Sequence, residues 1–289
     1  MSLKSTLRPT AIAAAAFSTL VLAAVSANAV PLVGLTSANE IARIETTNIA
    51  AATRVGITGL AAGDRFIGID LRPSNNTIYG VTLSNQLYTI NEFTGAATFV
   101  AGLSSSIINS TLSYGIDFNP VADAGGGASL RLISSSGNNY AVNATTGAVT
   151  VAQNIGSGFG NVAYTPAAAG ATSLYYVNSS TDSLHVATSA FNTPTISSVG
   201  LIGMDALRTG GFEITTSGSG FVALNSDDGA SLTTGIYMIS LATGALTLAG
   251  TYNGTLSGLT SAVPEPGTYG LLAMGLGVVG FLARRRRAD

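Results

Sequence analysis

A short sequence pattern recurs along this chain at nearly constant spacing and limits the fold more than any other feature. Three clear copies are Leu87-Tyr88-Thr89-Ile90-Asn91, Asn139-Tyr140-Ala141-Val142-Asn143 and Ile236-Tyr237-Met238-Ile239-Ser240, each followed by Thr-Gly and a second apolar run. Tyr88 and Tyr140 are 52 residues apart, and Tyr140 and Tyr237 are 97 apart. His185 lies in a degenerate copy between them, at intervals of 45 and 52. A period of this length indicates an array of similar structural units.

Further segments recur in the same frame. Gly68-Ile69-Asp70 is echoed by Gly115-Ile116-Asp117 and more weakly by Gly211-Phe212-Glu213, whereas the unit around Val162 lacks the acid. Each unit contains four short runs rich in β-branched and aromatic residues, separated by turns of Asn, Gly, Ser and Asp, which indicates antiparallel strands. Four strands in each unit of 45 to 52 residues predict an all-β fold, a β-propeller.

The two ends of the repeated region complete the predicted number of blades. The segment Glu40–Glu45 resembles the tyrosine-bearing strand, residues 52–60 suit an outer strand of the same unit, and residues 256–262 suit its inner strand. A blade closed by strands from both termini leaves no open edge. We expect about five four-stranded blades, with a six-bladed propeller or a β-sandwich as alternatives. No long helix is expected in this region, because no 3.6-residue period is sustained.

The N-terminus has the three parts of a secretory signal peptide. Lys4 and Arg8 precede an apolar run over residues 11–25, and Ala27 and Ala29 frame a small-x-small cleavage site. The run is shorter than the roughly 20 apolar residues of a membrane-spanning helix. We therefore expect passage through the secretion translocon and removal of residues 1–29 by signal peptidase, so that the mature chain begins near Val30.

The C-terminus contains a second ordered set of features. Pro264-Glu265-Pro266 precedes fifteen uncharged residues at 269–283, and the arginines Arg284, Arg285, Arg286 and Arg287 follow. Fifteen helical residues extend about 22 Å, short of a hydrocarbon core of about 30 Å, which favours a temporary hold in the membrane. The arginines are expected to stay in the cytoplasm and to leave the repeated region on the far side.

This tail resembles the PEP-CTERM sorting signal. The resemblance implies that an exosortase, a membrane-embedded protease of Gram-negative bacteria that make extracellular polysaccharide, recognises the tail and cuts near Pro264, Glu265 and Pro266. An ordinary C-terminal membrane anchor is the alternative. The expected organisation is a signal peptide over 1–29, a propeller over 30–262 and a sorting signal with a short transmembrane helix over 263–289. An inner-membrane intermediate would then reach the cell surface, the outer membrane or the extracellular space.

The repeated region itself resembles an uncharacterised domain family of secreted bacterial proteins. The segments that carry the resemblance are Gly-Ile-Asp, Leu-Tyr-x-Ile-Asn and Thr-Gly-x-x-Thr. The family is weakly similar to lactonase-like and quinoprotein-like propellers. The resemblance implies the fold and no particular activity.

Composition argues against several functional classes. Charged residues are 9% of the chain, against about 25% in ordinary soluble domains. Residues 30–262 contain six arginines, no lysine and twelve acids, so nucleic acid is not an expected partner. The absence of cysteine excludes disulfides and thiolate chemistry. His185 is the sole histidine and occupies a tyrosine position of the repeat, so no catalytic residue is predicted.

The repeated acids Asp70, Asp117 and Glu213 are the candidate metal ligands. Similar propellers of the lactonase type collect carboxylates around calcium in their central channel, and carboxylate oxygens suit that ion. The alternative is that each acid caps a turn through its side chain. Apart from this calcium candidate, no cofactor is predicted.

Two functional hypotheses follow. The first is a non-enzymatic envelope or extracellular-matrix protein that binds polysaccharide or protein through a polar propeller surface and requires no calcium. Its support is the sorting tail, the low charge and the scarcity of catalytic residue types. The second is a calcium-dependent, lactonase-like hydrolase, which the repeated acids suggest.

Overall fold

In a computed structural model of the protein, the residues described are 29–127, 130–206, 209–226 and 232–263. They form five antiparallel sheets of four strands each, which confirms the predicted all-β propeller. The strands in chain order are β1 (Pro31–Thr36), β2 (Glu40–Glu45), β3 (Thr53–Gly56), β4 (Phe66–Arg72), β5 (Thr77–Thr82), β6 (Gln86–Ile90), β7 (Ala97–Gly102), β8 (Tyr114–Phe118), β9 (Leu130–Ser134), β10 (Asn139–Val142), β11 (Val149–Val151), β12 (Phe159–Tyr164), β13 (Leu174–Asn178), β14 (Ser183–Ala187), β15 (Ser197–Leu201), β16 (Thr209–Ile214), β17 (Gly220–Asn225), β18 (Thr233–Ile239), β19 (Leu246–Asn253) and β20 (Leu256–Ser261).

Strands from both ends of the repeated region share one blade. Blade 1 has the order β20-β1-β2-β3, whereas blades 2 to 5 use the consecutive sets β4–β7, β8–β11, β12–β15 and β16–β19. The innermost strands β20, β4, β8, β12 and β16 contact one another in that order and close a ring. The described residues therefore form five blades with shared closure, as predicted, and neither the six-bladed propeller nor the sandwich.

Buried apolar side chains fill the space between each pair of neighbouring blades. Leu32 and Leu259 of blade 1 pack with Phe221 and Ile236 of blade 5, and four similar clusters occupy the other interfaces. Burying a Leu or Ile side chain contributes about 1.5–3 kcal/mol, so blade contacts are the main source of stability in a chain without disulfides.

The central channel is nearly filled halfway along its length. Glycine occurs there in four of the five innermost strands, at Gly68, Gly115, Gly211 and Gly258. A Cβ atom at Gly115 would lie 2.7 Å from Asn161 Cα and 2.9 Å from Gly160 O in blade 4. The remaining space is about 10 Å³, about the room of one water molecule. Close approach of the strands thus explains the glycine of the Gly-Ile-Asp repeat.

Both ends of the described chain lie on one face of the propeller, where the five innermost strands end. We call this the exit face; it comprises the chain after Arg72, Phe118, Tyr164, Ile214 and Ser261. The Ala262 N–H donates a 3.1 Å hydrogen bond to Pro31 O, so the two termini are neighbours.

Helical structure is limited to short segments in the described residues. Helix α1 (Pro120–Ala124) follows Asn119, whose side chain accepts hydrogen bonds from the Val121 and Ala122 N–H groups. No helix in these parts of the chain is long and apolar enough to cross a membrane. Ala29 is exposed. Val263 is also described, whereas Ala27, Pro264, Glu265, Pro266 and Arg284 to Arg287 of the two predicted terminal signals lie outside the described residues.

Candidate functional site

Three acidic side chains from different blades meet where the central channel opens onto the exit face. Asp70 lies on β4, Asp117 on β8 and Glu213 on β16, and one carboxylate oxygen from each lies within 4.8 Å of the others. The equivalent positions in the other two innermost strands are Ala163 and Thr260. Asp70 and Asp117 are in neighbouring blades, whereas the longer Glu213 side chain reaches them across the channel.

Hydrogen bonds fix the Asp70 carboxylate on two sides. Its Oδ2 atom accepts a 2.7 Å bond from the Phe118 N–H of blade 3, and its Oδ1 atom accepts a 2.8 Å bond from the Thr260 hydroxyl of blade 1. Thr260 Oγ1 in turn accepts a 2.9 Å bond from the Leu71 N–H. Asp70 therefore connects three consecutive blades.

Asp117 and Glu213 also bond to neighbouring blades. Asp117 Oδ1 accepts a 3.1 Å bond from the Tyr164 N–H, and Glu213 Oε1 accepts a 2.5 Å bond from the Ser261 hydroxyl. At least one hydrogen-bond partner of each acid belongs to an adjacent blade, so these side chains do more than cap their own turns.

Burial shifts the ionisation of all three acids in the same direction. It is the largest cause that raises the pKa of Asp70 well above its usual range, and the charge of Glu213 raises it further. The pKa of Asp117 is raised well above its usual range by burial and then by the charges of Asp70 and Glu213. Burial raises the pKa of Glu213 to about 7, although its hydrogen bonds with Ser261 oppose the change. Without a cation, such a cluster retains protons near neutral pH.

A cavity of about 320 Å³ lies over the three carboxylates and opens onto the exit face. The described residues of its wall include no lysine, arginine or histidine. The acids therefore form an acidic floor with no basic side chain among the described residues of the cavity wall. Chemically, this floor offers several oxygen ligands to a hard cation or holds protons shared among the acids.

Comparison with protein-family models identifies the propeller. The model described as "Domain of unknown function (DUF4394)" matches residues 40–260. The chain belongs to the DUF4394 family. The PEP-CTERM protein-sorting motif matches residues 262–287 of this DUF4394 protein, which confirms the predicted sorting tail. The motif marks an exported protein that an exosortase processes at the membrane on its way toward the cell surface.

Other known proteins are only distantly similar to this DUF4394 chain. Comparison with curated sequences finds no match. A calcium-binding protein, regucalcin, from Agrobacterium tumefaciens is 12% identical, with 75% of this chain and 68% of that one covered and a TM-score of 0.43. A putative 6-phosphogluconolactonase from Bacteroides uniformis is 9% identical, with coverage of 79% and 84% and a TM-score of 0.43.

A third solved structure, a protein of unknown function from Bacteroides thetaiotaomicron, is 11% identical to the DUF4394 chain. The match covers 76% of this chain and 57% of that one, with a TM-score of 0.48. Likenesses this distant carry no argument about ligand or activity.

The lone histidine of the DUF4394 propeller lies apart from the acids, on β14. The His185 ring packs edge-on against Phe159 at 5.2 Å, and its Nε2 atom lies 2.8 Å from the Ser183 hydroxyl. Burial lowers the pKa of His185. These contacts assign His185 a packing position in blade 4.

Two residues of the site were missed in the sequence, Thr260 and Ser261. Their hydroxyls bond to Asp70 and Glu213 respectively. Gly258-Leu259-Thr260 aligns with Gly68-Ile69-Asp70 once β20 is recognised as an innermost strand, so the repeat contained the signal for Thr260. Ser261 follows that position directly and has no repeated counterpart that would have revealed it.

Proposed function

We propose that this protein is a non-enzymatic component of the cell envelope that binds calcium at Asp70, Asp117 and Glu213 and holds extracellular polysaccharide through the bound ion. The observation that carries the proposal is the convergence of three buried carboxylates, within 4.8 Å of one another, at the floor of an open cavity. It differs from the first sequence-based hypothesis in requiring calcium.

Calcium suits this group better than other common ions. It takes six to eight oxygen ligands in flexible geometry, including carboxylates, carbonyls and water. The three acids supply part of such a set, and the open side of the cavity leaves room for the rest. Magnesium demands near-octahedral geometry, and zinc favours nitrogen and sulfur ligands, which the cavity wall does not supply. Extracellular calcium modules bind at about 10⁻⁴–10⁻³ M, and we expect an affinity in this range.

The cavity wall favours a neutral, hydroxyl-rich ligand. Asn76, Thr165 and Thr216 offer hydrogen-bonding groups at the opening, and Pro120 and Pro166 provide apolar surface. The volume of about 320 Å³ lies at the lower end of ligand pockets, which span about 300–1,000 Å³. A short stretch of sugar polymer fits this description, with its hydroxyls and water completing the calcium ligands.

Thermal unfolding of the processed chain tests the calcium site. A rise in Tm is expected at about 5 mM calcium relative to chelator, because a ligand bound only by the folded state stabilises it. Asp117→Asn is expected to lose this rise, whereas Glu45→Gln, at an exposed acid of β2, is expected to keep it. An unchanged Tm of the wild type in calcium would refute the site.

Co-sedimentation with the producer's own extracellular polymer tests whether the bound calcium holds polysaccharide. Binding is expected in calcium and is expected to disappear in chelator and in Asp117→Asn. Equal binding with and without calcium would contradict the bridging ion. It would favour the first hypothesis, a matrix protein that binds polysaccharide or protein without calcium.

A calcium-dependent, lactonase-like hydrolase is the second candidate. The observation that favours it is Glu213, whose pKa is raised to about 7, a value suited to proton transfer at neutral pH. Hydrolysis of simple lactones by the wild type in calcium, at rates well above those of Glu213→Gln, would support this function. Equal rates in both proteins would exclude it.

A further inference from the structure

We propose that the exit face beside Val263 is a docking surface for the exosortase, so that the protease binds the folded propeller as well as the sorting motif. The surface, here called the Phe93 groove, lies between the turn after β4 and the turn between β6 and β7. It has a volume of about 400 Å³ and is lined by Asn76, Thr77, Thr89, Asn91, Phe93 and Val263, among others.

The last described residues are held firmly against the propeller. The Val263 N–H donates a 2.9 Å bond to Glu92 Oε2, and its side chain packs against the apolar cluster between blades 1 and 2. Glu92 is only 2% exposed and lies 3.5 Å from Arg43 Nε. The Arg43 guanidinium is also 4.1 Å from the centre of the Phe93 ring. Val263 is therefore an anchored residue and not part of a free linker.

The sorting motif begins at the next residue. Pro264 follows Val263 directly, and Pro266 is three residues beyond it. Three extended residues span at most about 11 Å. Even a 100-residue domain has a radius of gyration of about 13 Å, so a protease bound to the motif has to contact the exit face.

The Phe93 groove has the make-up of a protein-binding surface. The Phe93 side chain is 48% exposed, and the hydroxyl and amide residues Thr77, Thr89 and Asn91 line the same groove. An aromatic anchor within a polar rim is typical of interface hot spots. The complementary surface of the exosortase is then an apolar pocket with polar groups at its edge.

Comparison with blade 3 shows that two residues at the Phe93 groove are not part of the repeated turn. Asn91 Oδ1 accepts bonds from the N–H groups of Phe93 and Thr94, and Asn143 Oδ1 accepts the same pair from Thr145 and Thr146 in blade 3. The turns are thus equivalent, yet the positions of Glu92 and Phe93 are Ala144 and Thr145 in blade 3. The turn itself requires neither the acid nor the aromatic ring.

This equivalence supplies a variant that keeps the fold. Phe93→Thr places at this turn the residue that blade 3 already has there. In the full chain, expressed with its exosortase, we expect processing in a pulse-chase experiment to slow by about fivefold or more, the loss typical of a hot-spot side chain. Val151→Ser, at a 74% exposed residue on the outer strand of blade 3, is the matched control and is expected to be processed at the wild-type rate.

A flexible insertion before the sorting motif tests whether the propeller binds the exosortase or only obstructs it. Six Gly and Ser residues between Val263 and Pro264 are expected to slow processing, and Phe93→Thr is expected to have no further effect in that background. Faster processing of the insertion variant would mean that the propeller only obstructs the protease and would overturn the proposal. So would wild-type processing of Phe93→Thr.

Photo-crosslinking identifies the occupant directly. The full chain with a photoreactive benzoylphenylalanine at position 93 is expected to crosslink to the exosortase in membranes, whereas the same group at position 151 is not. Capture of only lipid or of a second copy of this chain at position 93 would contradict the proposal. These tests do not involve calcium, so their outcome is independent of the proposed function.

Discussion

The Asp70 carboxylate in blade 2 accepts a 2.7 Å hydrogen bond from the backbone N–H of Phe118 in blade 3. Equivalent side chain-to-backbone bonds run from the Leu71 N–H to Thr260 and from the Tyr164 N–H to Asp117. The candidate ligands therefore also hold the ring of blades together. Experiments on variants of the site therefore have to separate two effects, the loss of a calcium ligand and the loss of a hydrogen bond between blades.

Glu213→Gln makes this distinction. The amide keeps an oxygen that accepts the Ser261 hydroxyl but removes a charge whose ionisation burial opposes. In chelator at neutral pH we expect the variant to be at least as stable as the wild type, by up to about 2 kcal/mol. In calcium we expect it to lose the stabilisation that the wild type gains. Calorimetry with and without calcium measures both effects, and an equal calcium-induced rise in Tm for both proteins would argue against Glu213 as a ligand.

The stability of the calcium-free protein is expected to depend on pH through the same residue. Burial raises the pKa of Glu213 from 4.5 to about 7, so between these values the folded chain holds a proton that the unfolded chain has released. The free energy of unfolding should therefore fall as pH rises through this window, by on the order of 3 kcal/mol, and then level off.

Asp70 and Asp117, whose pKa values are raised as well, act in the same direction. Calcium is expected to oppose the fall, because it binds the ionised carboxylates. Denaturant titrations at several pH values measure the trend. Rising stability of the calcium-free protein across the window would contradict it.

Thr260→Val should weaken the closure of the ring without replacing any of the three acids. The substitution removes the acceptor of the Leu71 N–H and the donor to Asp70 Oδ1 while keeping the volume. Leaving buried polar groups without a partner costs about 1–3 kcal/mol each. Urea unfolding should show a loss of about 2 kcal/mol or more for the two groups together, and Thr260→Ser, which keeps the hydroxyl, should retain most of the stability. Equal stability of the two variants would mean that the hydroxyl contributes little.

Gly115→Ala tests the explanation of the repeated glycine. Its Cβ would meet backbone atoms of Asn161 and Gly160 at 2.7 and 2.9 Å, which only a shift of the strands relieves. We expect a loss of about 1–3 kcal/mol in urea unfolding. Gly102→Ala, whose Cβ has no neighbour within 4 Å, is the control. A Gly115→Ala protein as stable as this control would contradict close strand approach as the reason for the glycine.

Mass analysis of the protein recovered from outside the cell tests both terminal signals. The predicted start is near Val30 and the predicted end lies between Pro264 and Gly267. The expected mass therefore excludes residues 1–29 and the arginines at 284–287. Recovery of the intact arginine tail from the outer surface would refute processing at the motif.

Most of the architecture was predictable from local patterns. Each blade from 2 to 5 consists of consecutive strands joined by turns, so the spacing of Tyr88, Tyr140 and Tyr237 reports the blades one by one. Spacing alone also placed His185 on the equivalent strand of blade 4, although its local sequence is degenerate. Blade 1 was predictable because the strand-like segments at both ends of the repeated region lacked partners.

The role of the repeated acids was only half predictable. The repeat indicated that Asp70, Asp117 and Glu213 occupy one level of the channel, and the structure brings them together. The sequence was also compatible with turn capping, since an aspartate before a turn has the same local pattern in both cases. Its partner is decided by the neighbouring blade, because Phe118 is 48 residues from Asp70.

The sequence by itself determined the strands of the described residues, their grouping into blades and the sorting motif at 262–287, since these depend on local periodicity and short ordered motifs. Closure of the ring of blades decided which distant residues contact one another. Contacts such as Asp70 with Thr260 and Val263 with Glu92 join residues 190 and 171 positions apart. No local pattern specifies such pairs, because they exist only when five blades close around one channel and bring their inner strands and both termini to the same face.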